Sequence, residues 1–182
     1  MIPDYVQVHE LWERYGLPEK KQIHCQRVAD LSVWFAKKYR HIGVRVNTQL
    51  LSAAALLHDI DKAVAPAFGE RHPDTGVRLL RESGMAEVAD VVETHSLGSI
   101  LFPDTAPRTI EQKILYLSDK MVKQEIIGVD ERFRLWRKEH IPNEAARQLL
   151  QAFPLVKKLE HEVCADLGIR PADLLSLAQS GK

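Results

Sequence analysis

The sequence predicts an all-α fold, and three observations carry that prediction. Apolar residues recur at the helical period almost throughout the 182 residues, no alternating strand pattern is bounded by hairpin turns, and helix caps and breakers fall where periodic segments begin and end. The period places helices at about 4–16, 19–40, 47–60, 73–83, 86–97, 108–127, 130–140, 143–167 and 171–179. Asn47 and Asn143 are good N-cap types, Pro73 and Pro171 suit a first helical turn, and Gly84 and Gly168 suit the far end of a helix. Pro154 should kink or split the long helix around it. The segments 61–71 and 98–107 carry glycine or proline and read as loops. With no internal repeat and no low-complexity stretch, residues 1–182 read as a single domain, with a motif-bearing core at about 20–125 and a C-terminal helical extension at about 130–182.

Composition narrows the function classes. Hydrophobic residues at 45% and charged residues at 27% describe a folded chain with a core, not a disordered one. The 25 basic and 25 acidic side chains cancel, so no bulk positive field draws the chain to nucleic acid or to an anionic membrane. The longest apolar run, Leu50 to Leu57 with Ser52 inside it, is too short to span a bilayer. No basic segment followed by an apolar stretch marks a secretory signal. Cys25 and Cys164 lie in separate segments beside apolar neighbours and read as reduced core thiols, which makes the cytoplasm the expected compartment.

A set of polar residues sits where apolar ones belong. His24 shares a helix face with Val28, Leu31 and Phe35; His58 follows Leu51 and Ala55; His95 lies on the stripe of Val88, Val91 and Val92; Asp119 sits between Leu115, Val122 and Ile126. Buried imidazoles and carboxylates need partners, and helices that each send a ligand inward are how bundles build metal sites. Asp59 is adjacent to His58 near a helix end, so both can reach one ion, and its carboxylate can bridge two. His72, just before Pro73, stands at the mouth of the next helix. A single core-facing histidine is more often a hydrogen-bonded core residue than a ligand, and His72 alone would be a loop residue. The joint occurrence, on separate segments beside an adjacent His-Asp pair, shifts those odds toward a metal. His9, His41, His140 and His161 have no such setting and read as surface or packing residues.

Four imidazoles and two carboxylates suit octahedral N/O coordination rather than thiolate-rich structural zinc. Six ligands exceed what one catalytic ion with open positions needs, so the count favours two ions, which activate a nucleophile and clamp a phosphoryl group. Iron or manganese is preferred, with magnesium, cobalt and nickel compatible. Lys62 lies one turn from His58, where an ammonium stabilises phosphoryl charge or merely favours a helix end. Asp61 reads either as a hydrogen-bond partner for a ligand histidine or as an exposed carboxylate. Arg27, three residues after His24, reads as a surface ion pair in preference to a residue at the mouth of the site. Lys120 and Lys123 carry no assignment.

These residues resemble a known family. His24, the pair His58-Asp59 within Leu-Leu-His-Asp-Ile-Asp-Lys, and Asp119 within Tyr-Leu-Ser-Asp-Lys are similar in type, order and spacing to the HD superfamily of phosphohydrolases, and Lys62 completes its His-Asp-x-x-Lys form. His-Asp alone is a weak signal; the ordered set is a strong one. Over about residues 20–125, the stretch His72-Pro73-Asp74-Thr75-Gly76 followed by Leu79-Leu80, with Thr94-His95-Ser96 later, resembles bacterial HD proteins that cleave dinucleoside tetraphosphates symmetrically. The resemblance implies an HD-domain helical bundle, a dinuclear, typically iron-containing site, and ADP as product from the diadenosine substrate. It further implies that His24, His58 and Asp119 hold one ion, His72 and His95 the other, that Asp59 bridges them, and that Lys62 faces the phosphates.

After Asp119 that family commonly continues with an Ile-Glu-Pro element and a basic residue, where this chain has Lys120-Met121-Val122-Lys123. The departure leaves the metal site intact and bears on the substrate. The segment from about 130 to 182, with Phe133, Leu135 and Trp136 on one side, reads as a packing or dimerising extension, and a homodimer is compatible with it. The expected activity is metal-dependent hydrolysis of a phosphoester or phosphoanhydride in a small-molecule nucleotide, with Asp59 and Lys62 as catalytic residues. Alternatives on the same scaffold are a mononucleotide phosphatase, a cyclic-nucleotide phosphodiesterase or a di-iron oxygenase.

Overall fold

Side chains that satisfy free backbone N–H groups set where several helices begin. The computed structural model, which describes residues 1–139 and 142–181, opens with α1 (Tyr5–Arg14), started by a capping box between Asp4 and Gln7. Next come α2 (Glu19–His41) and α3 (Thr48–Leu57), whose cap Asn47 accepts from the Leu50 N–H at 3.0 Å. Then follow α4 (Asp74–Glu82), α5 (Ala86–Val92), a short 3₁₀-helix (Leu97–Leu101) and α6 (Ile110–Met121), the last opened by a capping box between Thr109 and Gln112. The order closes with α7 (Gly128–Lys138), α8 (Asn143–Asp166) and α9 (Pro171–Ser180), and the described residues form no strand. Gly84 and Gly168 end α4 and α8 at φ of 74° and 64°, a backbone region that favours glycine.

α2 is the spine. It lies against α3 and α6, while α5 packs on α3, α4 and α6, and the buried side chains of Phe35, Leu51, Leu57, Tyr116 and Phe133 fill the space between them. Two polar ties fix outer elements to this core. The Trp12 indole N–H donates to the Leu56 carbonyl at 2.9 Å, holding α1 to α3, and the Tyr39 hydroxyl donates to Asp166 at 3.0 Å, holding the end of α8 to α2. α8 also runs along the 3₁₀-helix and touches α6, α7 and α9. Among the described residues no helix is long and apolar enough to cross a membrane.

Several helices are shorter than their apolar period predicts. α3 stops at Leu57 rather than at 60, α5 at Val92 rather than at 97, and α6 at Met121 rather than at 127. The pattern runs on because Ile60 and Val122 remain fully buried in the turns that follow, so burial outlasts the helix. Val122 and Ile126 form an isolated antiparallel bridge instead of another helical turn. The expected loop at 98–107 begins inside the 3₁₀-helix, Pro73 sits at the cap of α4, and Pro142 rather than Asn143 caps α8. Pro154 does not split α8: it and Leu150, whose carbonyl loses its donor, both lie on the exposed face, which leaves that carbonyl open to solvent.

Candidate metal centre

The fold brings His24, His58, Asp59, His72, His95 and Asp119 to one place. His24 is in the second turn of α2 and Asp119 in the last turn of α6, both helical as the stripes predict. His58 and His95 are not on helices, contrary to the stripe reading: His58 is the C-cap of α3, and His95 lies three residues beyond α5. Both positions use the same device. The Nδ1–H of His58 donates to the Ala55 carbonyl at 2.7 Å, and that of His95 to the Val92 carbonyl at 2.6 Å. The His58 ring thereby satisfies a carbonyl left free at a helix end, while the Val92 carbonyl accepts both the ring and the backbone N–H of His95, the latter at 3.1 Å.

The other two histidines are held in the same tautomer. His24 donates from Nδ1 to the Lys123 carbonyl at 2.8 Å, and His72 from Nδ1 to the Asp61 carboxylate at 2.9 Å. With Nδ1 protonated in all four rings, every Nε2 is a lone pair when the ring is neutral, and all four Nε2 atoms point into the same space. Asp61 is therefore the partner of a site histidine and is itself buried.

The donor atoms form two groups that share Asp59. Ligand atoms of His24, His58 and Asp59 lie within 4.8 Å of one another, as do those of Asp59, His72 and His95. Asp119 joins the first group, its Oδ1 being 3.0 Å from His24 Nε2 and 3.5 Å from His58 Nε2. In the second group, His72 Nε2 and His95 Nε2 are 2.9 Å apart, with Asp59 Oδ1 at 3.6 Å and 4.0 Å respectively. Two lone pairs at that separation repel unless a positive charge lies between them. A proton relieves one such contact; a divalent ion relieves three or four together. The buried Nε2 of His58 also has no hydrogen-bond partner. An orphaned imidazole nitrogen beside two carboxylates is a fitting donor set for a divalent metal.

The electrostatics of Asp59, Asp119 and His95 agree, while His58 is favoured as an imidazolium whose proton a bound ion would displace. Burial disfavours charge on Asp59, but His58, Lys62 and Lys21 outweigh it and hold its pKa far below the usual carboxylate range. Asp119 is likewise pulled well down against its burial, chiefly by Lys120 and by the neighbouring imidazoles of His24 and His58. Burial opposes charge on His58 too, yet the neighbouring Cys25 sulfur, Asp59 and Asp119 raise its pKa. His95 is pushed the other way by burial and by the neighbouring His72 and His58, so its ring stays neutral. Ionised carboxylates and neutral imidazoles are the ligand forms that metals bind.

Lysines surround this floor. Lys21 contacts Asp59 Oδ2 at 2.7 Å and Lys62 contacts Asp59 Oδ1 at 3.5 Å. Lys120 is buried and donates to Asp119 Oδ2 at 2.5 Å and to the His95 carbonyl at 2.6 Å, a strut joining α6 to the turn after α5. Above the floor opens a cavity of about 220 Å³, walled in part by Ser96, Leu97, Arg132 and Trp136. Of these basic and aromatic residues, Lys21 and Arg132 escaped the sequence reading, Lys120 was left without an assignment, and Trp136 was read only as a packing residue. Lys21 had a signal, since it lies one turn before His24 on the same face of α2. Arg132 and Trp136 had none, and the extension that carries them does more than pack: α7 forms one wall of the cavity.

The remaining candidates lie apart. Arg27 makes exposed ion pairs with Asp30 and Glu125. His9 packs between Tyr5 and Trp12, and His41 and His161 are exposed. His140 falls outside the described residues. A family model described as HD domain matches residues 22–124, a span that contains all six floor residues and Lys62. No solved structure matches the chain.

Proposed function

The chain belongs to the HD domain family, and on that premise we propose that it is a phosphohydrolase whose floor residues hold two divalent ions and whose substrate is a nucleotide phosphoanhydride. The observation that carries this reading is the sharing of Asp59 between two donor groups, one of which sets two imidazole lone pairs 2.9 Å apart. Iron or manganese suits the mixed imidazole and carboxylate donors. When bound, the ions would polarise the phosphoryl group and make water a nucleophile near neutral pH.

The chain supplies the rest. Nδ1 contacts hold the four rings in one tautomer, Asp61 orients His72, and Lys120 keeps Asp119 and the His95 segment in register. Lys62 places a cation between Asp59 and the cavity, where it stabilises charge on phosphoryl oxygens in the transition state. A cavity of about 220 Å³ accommodates phosphoryl groups and leaves nucleosides at its mouth. The two unbridged cysteines, Cys25 and Cys164, suit a reducing compartment such as the cytoplasm.

Within this reading the substrate is a dinucleoside tetraphosphate cleaved into two nucleoside diphosphates. The resemblance of His72–Gly76 and Thr94–Ser96 to symmetrical hydrolases supports it, since these segments carry the second donor group. The test is anaerobic incubation of manganese-loaded protein with diadenosine tetraphosphate, followed by chromatography. ADP alone is expected. A mixture of AMP and ATP rules out symmetric cleavage, faster turnover of mononucleotides favours a phosphatase, and an absolute need for oxygen sinks the hydrolase reading.

A further inference from the structure

Four cationic side chains line the cavity, and three are engaged: Lys21 and Lys62 with Asp59, Lys120 with Asp119. Among the described residues lining the cavity, Arg132 is the cation without an ion pair. Its buried Nε–H also has no acceptor. A half-buried guanidinium with an unused donor is a cost that a folded chain normally relieves with a carboxylate or a carbonyl. Here it is relieved by neither. Instead the guanidinium lies over the Trp136 ring, 4.1 Å from its centroid and one turn along α7, a contact that steadies the fork without consuming its N–H groups.

We propose that Arg132 receives a second phosphoryl group of the substrate, adjacent to the one over the Asp59 floor, so that the cavity selects phosphoanhydrides over phosphomonoesters. The proposal rests on the phosphohydrolase reading above. Its geometry is that of one small space: His72, His95 and Asp59 line the cavity together with Arg132 and Trp136, and its volume of about 220 Å³ lets an anion with two phosphorus atoms reach both sides. The guanidinium is the side chain whose planar fork matches two phosphate oxygens at once, which an ammonium does not. The three lysines are already paired with floor carboxylates and offer an ammonium rather than a planar fork.

Binding, not turnover, tests the assignment. Orthophosphate and the non-hydrolysable methylenediphosphonate are titrated calorimetrically into the full-length manganese-loaded protein, with metal content measured before and after. Wild type should prefer the diphosphonate by about tenfold to a hundredfold, the range for one charge-assisted bidentate contact. Arg132→Ala should remove that preference while orthophosphate affinity stays within about threefold and metal content is unchanged. Should Arg132→Ala melt early, Arg132→Lys carries the test: it keeps charge and stem but not the fork, and should lower the preference by about three- to tenfold. Preference retained in the variants, or equal weakening of both anions, overturns the role of Arg132. A wild-type protein that binds orthophosphate with no preference for diphosphonate overturns it too and leaves the hydrolase reading standing. If metal-loaded wild type binds neither anion, both readings fall.

Discussion

The floor and the wall of the cavity are built on opposite plans. On the floor, each histidine is locked through Nδ1 by a carbonyl or carboxylate, and five of the six residues are buried. On the wall, Lys62 and Arg132 are only partly buried, and Arg132 rests on a ring rather than on a carboxylate. The difference teaches where rigidity is needed. Converging lone pairs and carboxylates repel one another, so they hold position only if the backbone fixes each ring and a cation joins them. On the proposed reading these wall cations face phosphate and need no such fixing, because a flexible side chain can follow an anionic ligand.

The comparison can be broken at the floor first. Asp59→Asn removes the one charge shared by both donor groups, so activity should fall by more than about a thousandfold and bound metal should drop sharply. Metal analysis of the purified variant checks this, and full metal content with full activity would show that the floor is not a metal centre. A smaller loss is expected at the wall. Lys62→Ala should leave metal content unchanged yet slow hydrolysis by about a hundredfold in single turnover at matched metal occupancy, because one charged contact to the transition state is gone. Equal rates would remove Lys62 from the mechanism.

How much of this was legible in the sequence depended on what positions each residue. His24 and Asp119 are helical, and their stripes of apolar neighbours announced that they point inward. His58 and His95 were read as pointing inward from helices; they are buried but not helical, since burial continues past the ends of α3 and α5 and mimics further helix. Their locks to Ala55 and Val92 depend on the chain leaving the helix just before His58 and three residues before His95, which periodicity does not register. Arg132 and Trp136 reach the cavity only because α7 packs beside α6, a tertiary fact with no local signature. Lys120 was invisible for the opposite reason: a lysine at a helix end normally faces water, and this one is buried between Asp119 and the His95 carbonyl.

Between floor and wall stands Asp61, next in the chain to Lys62, and its carboxylate accepts from His72 and orients a floor ring. Asp61→Ala should weaken binding of the second ion by about ten- to a hundredfold and leave the first unaffected, read by metal titration; equal weakening of both ions would deny it a specific hold on His72. The smallest effect is expected in the segment 61–71, at Glu70. Glu70 accepts hydrogen bonds from Arg78, the Ala67 N–H and Thr75, which hold its carboxyl down at about 2 from an ordinary value of 4.5. A depressed carboxylate stabilises the fold above its unfolded value and loses that contribution as pH falls through its folded one. In metal-free protein, the difference in melting temperature between wild type and Glu70→Gln should therefore shrink as pH falls from 4.5 toward 2. A difference that does not change over that window would show that the Glu70 contacts contribute nothing through charge.

The claim that two ions share Asp59 is tested most directly by restoring them one at a time. Chelator-stripped protein is titrated anaerobically with manganese, and phosphate-bond hydrolysis is followed against ions bound per chain. Activity should be near zero without metal, stay low until the first ion is bound, and reach its plateau at about two ions per chain, as a two-metal site requires. Full activity at one ion per chain, or activity that survives complete removal of metal, would contradict the account.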